Sequence, residues 1–420
     1  MLFILFILLL MPVALFGYLD PGSGAVLINL LITAAAALLY SLKGLFFRLL
    51  GKKQAAQPKR QGIQLALLSE GKSYRLSFQP LIEALTAREI HFAYYTLDIE
   101  DPLLKIDNPF CHNRFLGFGA LGKYRASNLK EALLLSTTPN ISCAGYPIKR
   151  SPHTRKLIHF FHSLIDLSMY RKGSLDFYDA VILPGDYHIA PIRHLEKLRG
   201  LKEKELISLG APYLDLLAEE KAAQTPFKQE KCLLVASSWG DKGLLTYCGI
   251  EPFLPLAEKG WELIIRPHPQ DLKKSPELIL KLQKQSAAKP NIIWDFALSG
   301  AQSMQKASLM LSDTSSIRFD FAFLYEKPVL SLVIPAAAMP GFERDDLSEI
   351  WSEGAAQEIG MVIDSEALRQ DPEGYLLQTL QSFDAARIRS YRHALVRHFG
   401  TAASAIADYL ALELESLKSL

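Results

Sequence analysis

Two short stretches carry the residue types that could do chemistry. Ser312-Asp313-Thr314-Ser315-Ser316 follows the apolar run Leu309–Leu311 and leads into a helical segment through Asp320. A helix N-terminus presents unpaired N–H groups and the positive end of the helix dipole. Small hydroxyl residues there leave room for an anion and can hydrogen-bond it. Thr314, Ser315 and Ser316 are therefore candidates for holding a phosphate at the carboxyl end of a strand. The simpler alternative is that Asp313 or Ser315 only caps the helix. Asp320, one turn below Ser316, orients a hydroxyl or faces water, and Arg318 reads as a surface ion-pairing residue. On the helix itself, Ile317, Phe321 and Leu324 share a core face at helical spacing.

The second stretch is Arg266-Pro267-His268-Pro269, at the end of the predicted strand Glu262–Ile265. Two prolines restrict the backbone on both sides of His268 and aim its imidazole with little entropic loss. Arg266 has the fork geometry for phosphate oxygens. A cationic or hydrogen-bonding His268 beside it suits developing negative charge or a leaving-group proton. Both stretches end strands of one sheet, so they can converge. Ser237-Ser238-Trp239-Gly240 ends a further strand as a small-residue loop able to approach a nucleotide.

The elements that position these residues follow from alternation of apolar runs with helical or polar stretches. Strands are predicted at Gln64–Ser69, His91–Leu97, Ala132–Ser136, Leu157–Phe161, Ala180–Leu183 and Leu206–Leu209, then at Cys232–Ala236, Glu262–Ile265, Asn291–Trp294, Leu309–Leu311, Val329–Val333 and Met361–Ile363. Such alternation predicts an α/β protein with two parallel sheets wrapped by helices. The expected organisation is a membrane anchor over 1–53, a linker over 54–62, an N-terminal Rossmann-like domain over 63–217, a C-terminal one over 218–385, and a terminal helix over 386–420 that crosses back onto the first half.

In the first half, His162 closes a strand, where sites in open α/β sheets collect; the alternative is a structural histidine bonded to a carbonyl. Gly71-Lys72-Ser73 lacks the upstream glycine of a phosphate-binding loop. Gly117-x-Gly119-x-x-Gly122 is outside the first strand–helix unit and has no acidic residue at the distance a dinucleotide site needs, so it reads as a tight loop.

Composition narrows the class. A formal net charge of +2 over 420 residues gives no basic surface for nucleic acid. The four cysteines have no metal-ligand spacing and read as free thiols of a reducing compartment. The apolar excess is concentrated at the amino end. Leu2–Phe16 and Ala25–Leu42 flank the turn Tyr18–Gly24, and Lys43, Arg48, Lys52, Lys53, Lys59 and Arg60 follow. A spanning helix needs roughly 20 apolar residues. The expectation is an apolar helical hairpin, or a cleaved leader plus one transmembrane helix. The basic cluster puts everything after it on the cytoplasmic side of the inner membrane.

Arg266-Pro267-His268-Pro269, Ser312–Ser316, Phe319-Asp320 and Lys327-Pro328-Val329, with Gly210–Asp215 and Ser237–Trp239, resemble the CDP-glycerol glycerophosphotransferase family of teichoic-acid-type polymerases and primases. The resemblance implies a GT-B-like fold: two Rossmann-like domains facing a cleft. It implies a membrane-associated transferase that moves glycerol phosphate, or a related polyol phosphate, from a CDP-alcohol to a hydroxyl of a lipid-linked or cell-surface glycan acceptor, releasing CMP. His162 and His268 correspond to the family's two catalytic histidines. Arg266, Thr314, Ser315 and Ser316 are expected at the donor diphosphate, with Asp313, Asp320, Ser237 and Ser238 as further donor contacts. The family's His-Gly-Thr turn is His162-Ser163-Leu164 here, implying a different acceptor or lost activity. No acidic cluster suggests a metal, and no cofactor is expected. The alternatives are a GT-B glycosyltransferase using a nucleotide-sugar and a non-catalytic membrane scaffold.

Overall fold

Thirteen short strands, among the described residues, are distributed between two parallel sheets. The computed structural model describes residues 62–418 except 224–229, 242, 298 and 335–340. The apolar stretches, the basic cluster and the predicted linker up to residue 61 lie outside the described residues. Among those described, no helix is long and apolar enough to cross a membrane.

The first sheet comprises β1 (Leu65–Ser69), β2 (Phe92–Thr96), β3 (Cys111–Phe115), β4 (Leu133–Ser136), β5 (Lys156–Phe160), β6 (Ala180–Leu183) and β7 (Glu205–Ser208), in the order β3-β2-β1-β4-β5-β6-β7. The second comprises β8 (Cys232–Ala236), β9 (Glu262–Arg266), β10 (Ile292–Trp294), β11 (Leu309–Ser312), β12 (Val329–Val333) and β13 (Gly360–Asp364), ordered β10-β9-β8-β11-β12-β13. Every position of β1, β2, β4, β6, β8 and β11 is buried. That is what a parallel strand covered by helices on both faces requires, and it is why these segments read as unbroken apolar runs.

The order reverses beside β1 in the first sheet and beside β8 in the second. Loops leaving the carboxyl ends of strands at such a reversal diverge and open a crevice. The loops after β8 and β11 flank the reversal of the second sheet, and the loop after β9 lies next to them.

The helix Ile317–Tyr325 is buried from Arg318 to Tyr325, not on one face only. It packs on β11 and β12 and is covered by the helices Pro212–Ala222 and Ala385–Leu395. A helix enclosed on all sides is apolar all round, and Phe319, Phe321 and Phe323 are each at most 1% exposed. Leu164, Tyr213 and Leu214, which precede the second sheet in the chain, share this core. The last helix, Ala402–Lys418, returns to the first sheet: Ile406, Ala407 and Leu410 pack with Leu65 and Phe78. Asp215 accepts the N–H groups of Ala402 (3.1 Å) and Ala403 (2.7 Å) at its start.

The glycine motif is a turn. Gly117 and Gly119 have φ of 117° and 55°, and a Cβ on Gly122 would stand 2.2 Å from the Gly117 carbonyl oxygen. It joins β3 to the helix Gly119–Ala126 by a close backbone approach.

Candidate active site

Asp313 organises the second-sheet side. It is fully buried, and four donors converge on its carboxylate. Oδ1 accepts the N–H of Ser315 (3.0 Å), and both oxygens accept the N–H of Ser238 (3.0 and 2.9 Å). Oδ2 also accepts the Ser238 hydroxyl (2.9 Å) and the Leu244 N–H (2.7 Å). One side chain therefore fixes the loops after β8 and β11 to each other. Burial raises its pKa, and the donors pull the other way. Asp313 is thus a scaffold for the loops and does not face the cleft, contrary to its expected donor contact.

Neither alternative cap forms on the helix Ile317–Tyr325. Its N-cap is Ser316, with no side-chain capping bond, and Asp313 closes a local turn onto Ser315 instead. Thr314, Ser315 and Ser316 line the cleft at the positive end of this helix. Ser237 departs from expectation. Its hydroxyl donates to the Ser238 carbonyl (2.6 Å) and accepts the Leu245 N–H (3.2 Å), inside the loop.

His268 leaves β9 in extended conformation and N-caps the helix Pro269–Lys274, with Pro269 at the first helical position. Its Nδ1 accepts the Gln270 N–H at 3.1 Å. An N–H can only donate, so the proton of the neutral ring sits on Nε2. Burial, then the adjacent Arg266 guanidinium, lower its pKa to about 4. At neutral pH His268 is an uncharged donor through Nε2, not a cation.

Arg266 is the main correction to the expected diphosphate site. Its Nη1 pairs with Asp295 Oδ2 at 2.7 Å, and Ser303 Oγ donates to the same oxygen at 2.6 Å. The guanidinium is not among the groups lining the cleft. Burial alone would raise the Asp295 pKa; Ser303, the Ala297 N–H and Arg266 together hold it low. Arg266 therefore acts on His268 through its field. Arg318, expected on the surface, is 4% exposed and donates to the Ser352 carbonyl at 2.7 Å; burial lowers its pKa to about 10. Asp320 orients a hydroxyl, but one away from the expected donor contact: it is buried and accepts the hydroxyl proton of Tyr213 at 2.5 Å.

His162 comes from the other side, just past β5. Its ring meets the edge of Tyr74 at 5.3 Å, its Nδ1 is buried without a hydrogen-bond partner, and burial lowers its pKa to about 4. His162 and Ser163 face Ser238, His268 and Thr314–Ser316 across a cleft of about 410 Å³. Among the predicted residues, the cleft brings together His162, His268, Ser238, Thr314, Ser315 and Ser316, and leaves out Arg266, Asp313, Asp320 and Ser237.

Sequence reasoning missed Tyr74, Lys274, Arg344 and Glu353, which also line the cleft. Lys274 Nζ stands 4.2 Å above the Trp239 ring, and Arg344 pairs with Glu353 at 2.8 Å. Lys274 had one weak signal, its place on the short helix that Pro269 opens. Among the described residues, no three His, Cys, Asp or Glu side chains gather where they could hold a metal. The four cysteines are unpaired.

The fold and this cleft define a class: a GT-B-type architecture of two parallel-sheet α/β domains. The wall teichoic acid polymerase TagF has it with a TM-score of 0.56 at 14% identity, over 85% of this chain and 90% of that one. A histidine variant of TagF soaked with CDPG superposes at 0.54 and 14% identity, over 84% and 89%. A putative UDP-N-acetylglucosamine 2-epimerase from Listeria monocytogenes matches at 0.56 and 15% identity, over 84% and 97%. At these identities the likeness is one of fold. No protein-family model and no curated protein sequence matches this chain.

Proposed function

We propose that this chain is a transferase that moves a polyol phosphate from a CDP-alcohol, with CDP-glycerol as the simplest donor, to a hydroxyl of a lipid-linked or glycan acceptor. The observation that carries this reading is the cleft itself. An uncharged His268 with its proton on Nε2 and three hydroxyl residues at a helix N-terminus line one cleft with a second histidine from the opposite sheet. Donor groups of this kind suit a diphosphate. In the reaction, the acceptor oxygen attacks the phosphorus next to the polyol, the phosphoanhydride bond breaks, and CMP leaves with the bond electrons. His162 takes the acceptor proton; His268, Ser315 and Ser316 neutralise charge on the diphosphate. Such chemistry depends on positioning and charge stabilisation more than on covalent help. The apolar segments and basic cluster before residue 61 support attachment to the inner membrane, with the cleft on the cytoplasmic side.

The same donor geometry accommodates a nucleotide-sugar, and the epimerase likeness favours this as the second reading. The full chain is incubated with CDP-glycerol or UDP-N-acetylglucosamine, with an acceptor ending in glycerol phosphate, and nucleotide release is measured. CMP release that depends on His268 and His162 is the expected result. Release of UDP alone overturns the CDP-alcohol reading in favour of the second.

A further inference from the structure

Beneath the cleft, a polar chain crosses an otherwise apolar core. Tyr213, on the helix Pro212–Ala222, is 3% exposed. Its hydroxyl oxygen accepts the Leu164 N–H at 3.2 Å, and its proton goes to Asp320 Oδ1 at 2.5 Å. The Leu164 N–H can only donate, so the tyrosine oxygen accepts it, and the tyrosine O–H donates to the Asp320 carboxyl group. Leu164 is two residues beyond His162. Asp320 is one helical turn beyond Ser316, on the helix that the cleft residues Thr314–Ser316 lead into. The chain thus joins the two walls of the site. Farther along the same turn, Asp166 Oδ2 accepts the Ser352 N–H at 3.0 Å, so the His162 turn is tied at two points to elements around the second sheet.

We propose that Tyr213 and Asp320 are positioning residues, which hold the His162 turn in register with the Ser315–Ser316 helix terminus. Their role is one of register because Phe319, Phe321 and Phe323 already bury that helix. A carboxylate placed among them is desolvated, and burial pushes Asp320 to about 7. An apolar pair would fill the same space without that cost. What an apolar pair cannot do is fix the Leu164 amide by a directional bond. A shift of about 1 Å between reacting groups costs on the order of a hundredfold in rate, so a bond of this kind matters most in the transition state.

The inference rests on the transferase reading for its kinetic arm and on none for its exchange arm. The first arm follows hydrogen exchange of the 162–166 segment in the full chain without substrate. Y213F keeps the ring and removes both bonds, and exchange at Leu164 rises about tenfold or more. D320N retains an acceptor oxygen and keeps wild-type protection. The second arm measures CMP release from CDP-glycerol. Y213F and D320A lower kcat roughly 10- to 100-fold with KM within about twofold, whereas D320N stays within about threefold of wild type. Unchanged exchange at 162–166 in Y213F overturns the proposal, as does faster exchange with unchanged kcat. If the wild-type chain releases no CMP, the transferase reading fails, and the exchange of Y213F against D320N alone decides whether the tether exists.

Discussion

Replacing Asp313 by Asn tests whether the loops around the cleft are built as described. Asparagine keeps the shape but only one acceptor oxygen. With that oxygen at the Oδ2 position it retains Leu244 N–H and both Ser238 donors, and its NH₂ faces the Ser315 N–H, now unpaired. With the oxygen at Oδ1, the Leu244 N–H and the Ser238 hydroxyl lose their acceptor instead. Either way at least one buried donor is orphaned, at about 1–3 kcal/mol. The surviving bonds lose charge assistance and roughly half their strength. Relief of the buried charge returns part of this, so a net destabilisation of ~2–4 kcal/mol is expected. Urea unfolding of the full chain measures it as a lower midpoint at unchanged slope. Affinity for CDP-glycerol falls as well, because one orientation frees the Ser315 amide and the other frees the Ser238 hydroxyl. A D313N protein within about 1 kcal/mol of wild type that had lost nucleotide binding would refute the scaffold role and make Asp313 a ligand contact.

Two other predictions follow from the histidines. H268N keeps an N-cap acceptor for Gln270 and loses the reach of Nε2–H, so CMP release falls ~100-fold or more with folding stability nearly unchanged; H268A loses the cap too and about 1 kcal/mol of stability. Equal turnover in H268N and wild type removes the imidazole from the chemistry. Stability also falls on acidification. Burial holds His159 at about 3 and His162, His188 and His268 at about 4, so between pH 6.5 and about 4 the unfolded chain binds their protons and the native chain does not. That stability is complete above the unfolded histidine pKa and is lost as pH falls. Asp215 and Asp320, raised by burial to about 6 and about 7, work in the opposite sense: their contribution is present at low pH and is lost on raising pH. Asp271 and Asp313, also raised by burial, act in that same opposing sense; the four histidines still leave a net proton excess in the unfolded state near pH 5, on the order of 1 kcal/mol per pH unit. Urea midpoints that hold or rise from pH 6.5 to 5 contradict it.

The interior strands were legible because a strand covered on both faces has one signature, an unbroken apolar run; β6 and β8 match their predicted bounds. β3 was not legible. Cys-His-Asn-Arg-Phe lies at an edge with only Cys111 buried, so neither an apolar run nor alternation marks it. The same limit applies to charges. Arg318 read as a surface residue because its own helix offered no reason to bury it; the covering helices come from positions more than 60 residues away in the chain. Arg266 read as a phosphate ligand because Asp295, 29 residues on, had no visible claim to it. Motif spacing located the hydroxyls and both histidines, which sit at strand ends whatever the tertiary pairing. It could not locate Arg344 or Lys274, which reach the cleft only through the way the elements pack.

The two cleft histidines raise a chemical problem whose solution is testable. An imidazole with a pKa of about 4 is a weak base at neutral pH, yet His162 is assigned the acceptor proton. Its Nδ1 is buried without a hydrogen-bond partner, and burial lowers its pKa. A bound diphosphate places negative charge within the same cleft and favours the imidazolium. His162 then becomes a competent base only when the donor is present, which suppresses adventitious proton transfer in its absence. The pH dependence of kcat/KM reports free enzyme, and that of kcat reports the donor complex. Activity requires the unprotonated ring, so both profiles have an acid limb. The diphosphate diester does not itself titrate in this range. The acid limb of kcat must therefore lie at higher pH than that of kcat/KM, by about one pH unit or more if the charges approach to about 4–6 Å. Coincident limbs, or the reverse order, would mean that His162 does not feel the donor and that another group takes the proton.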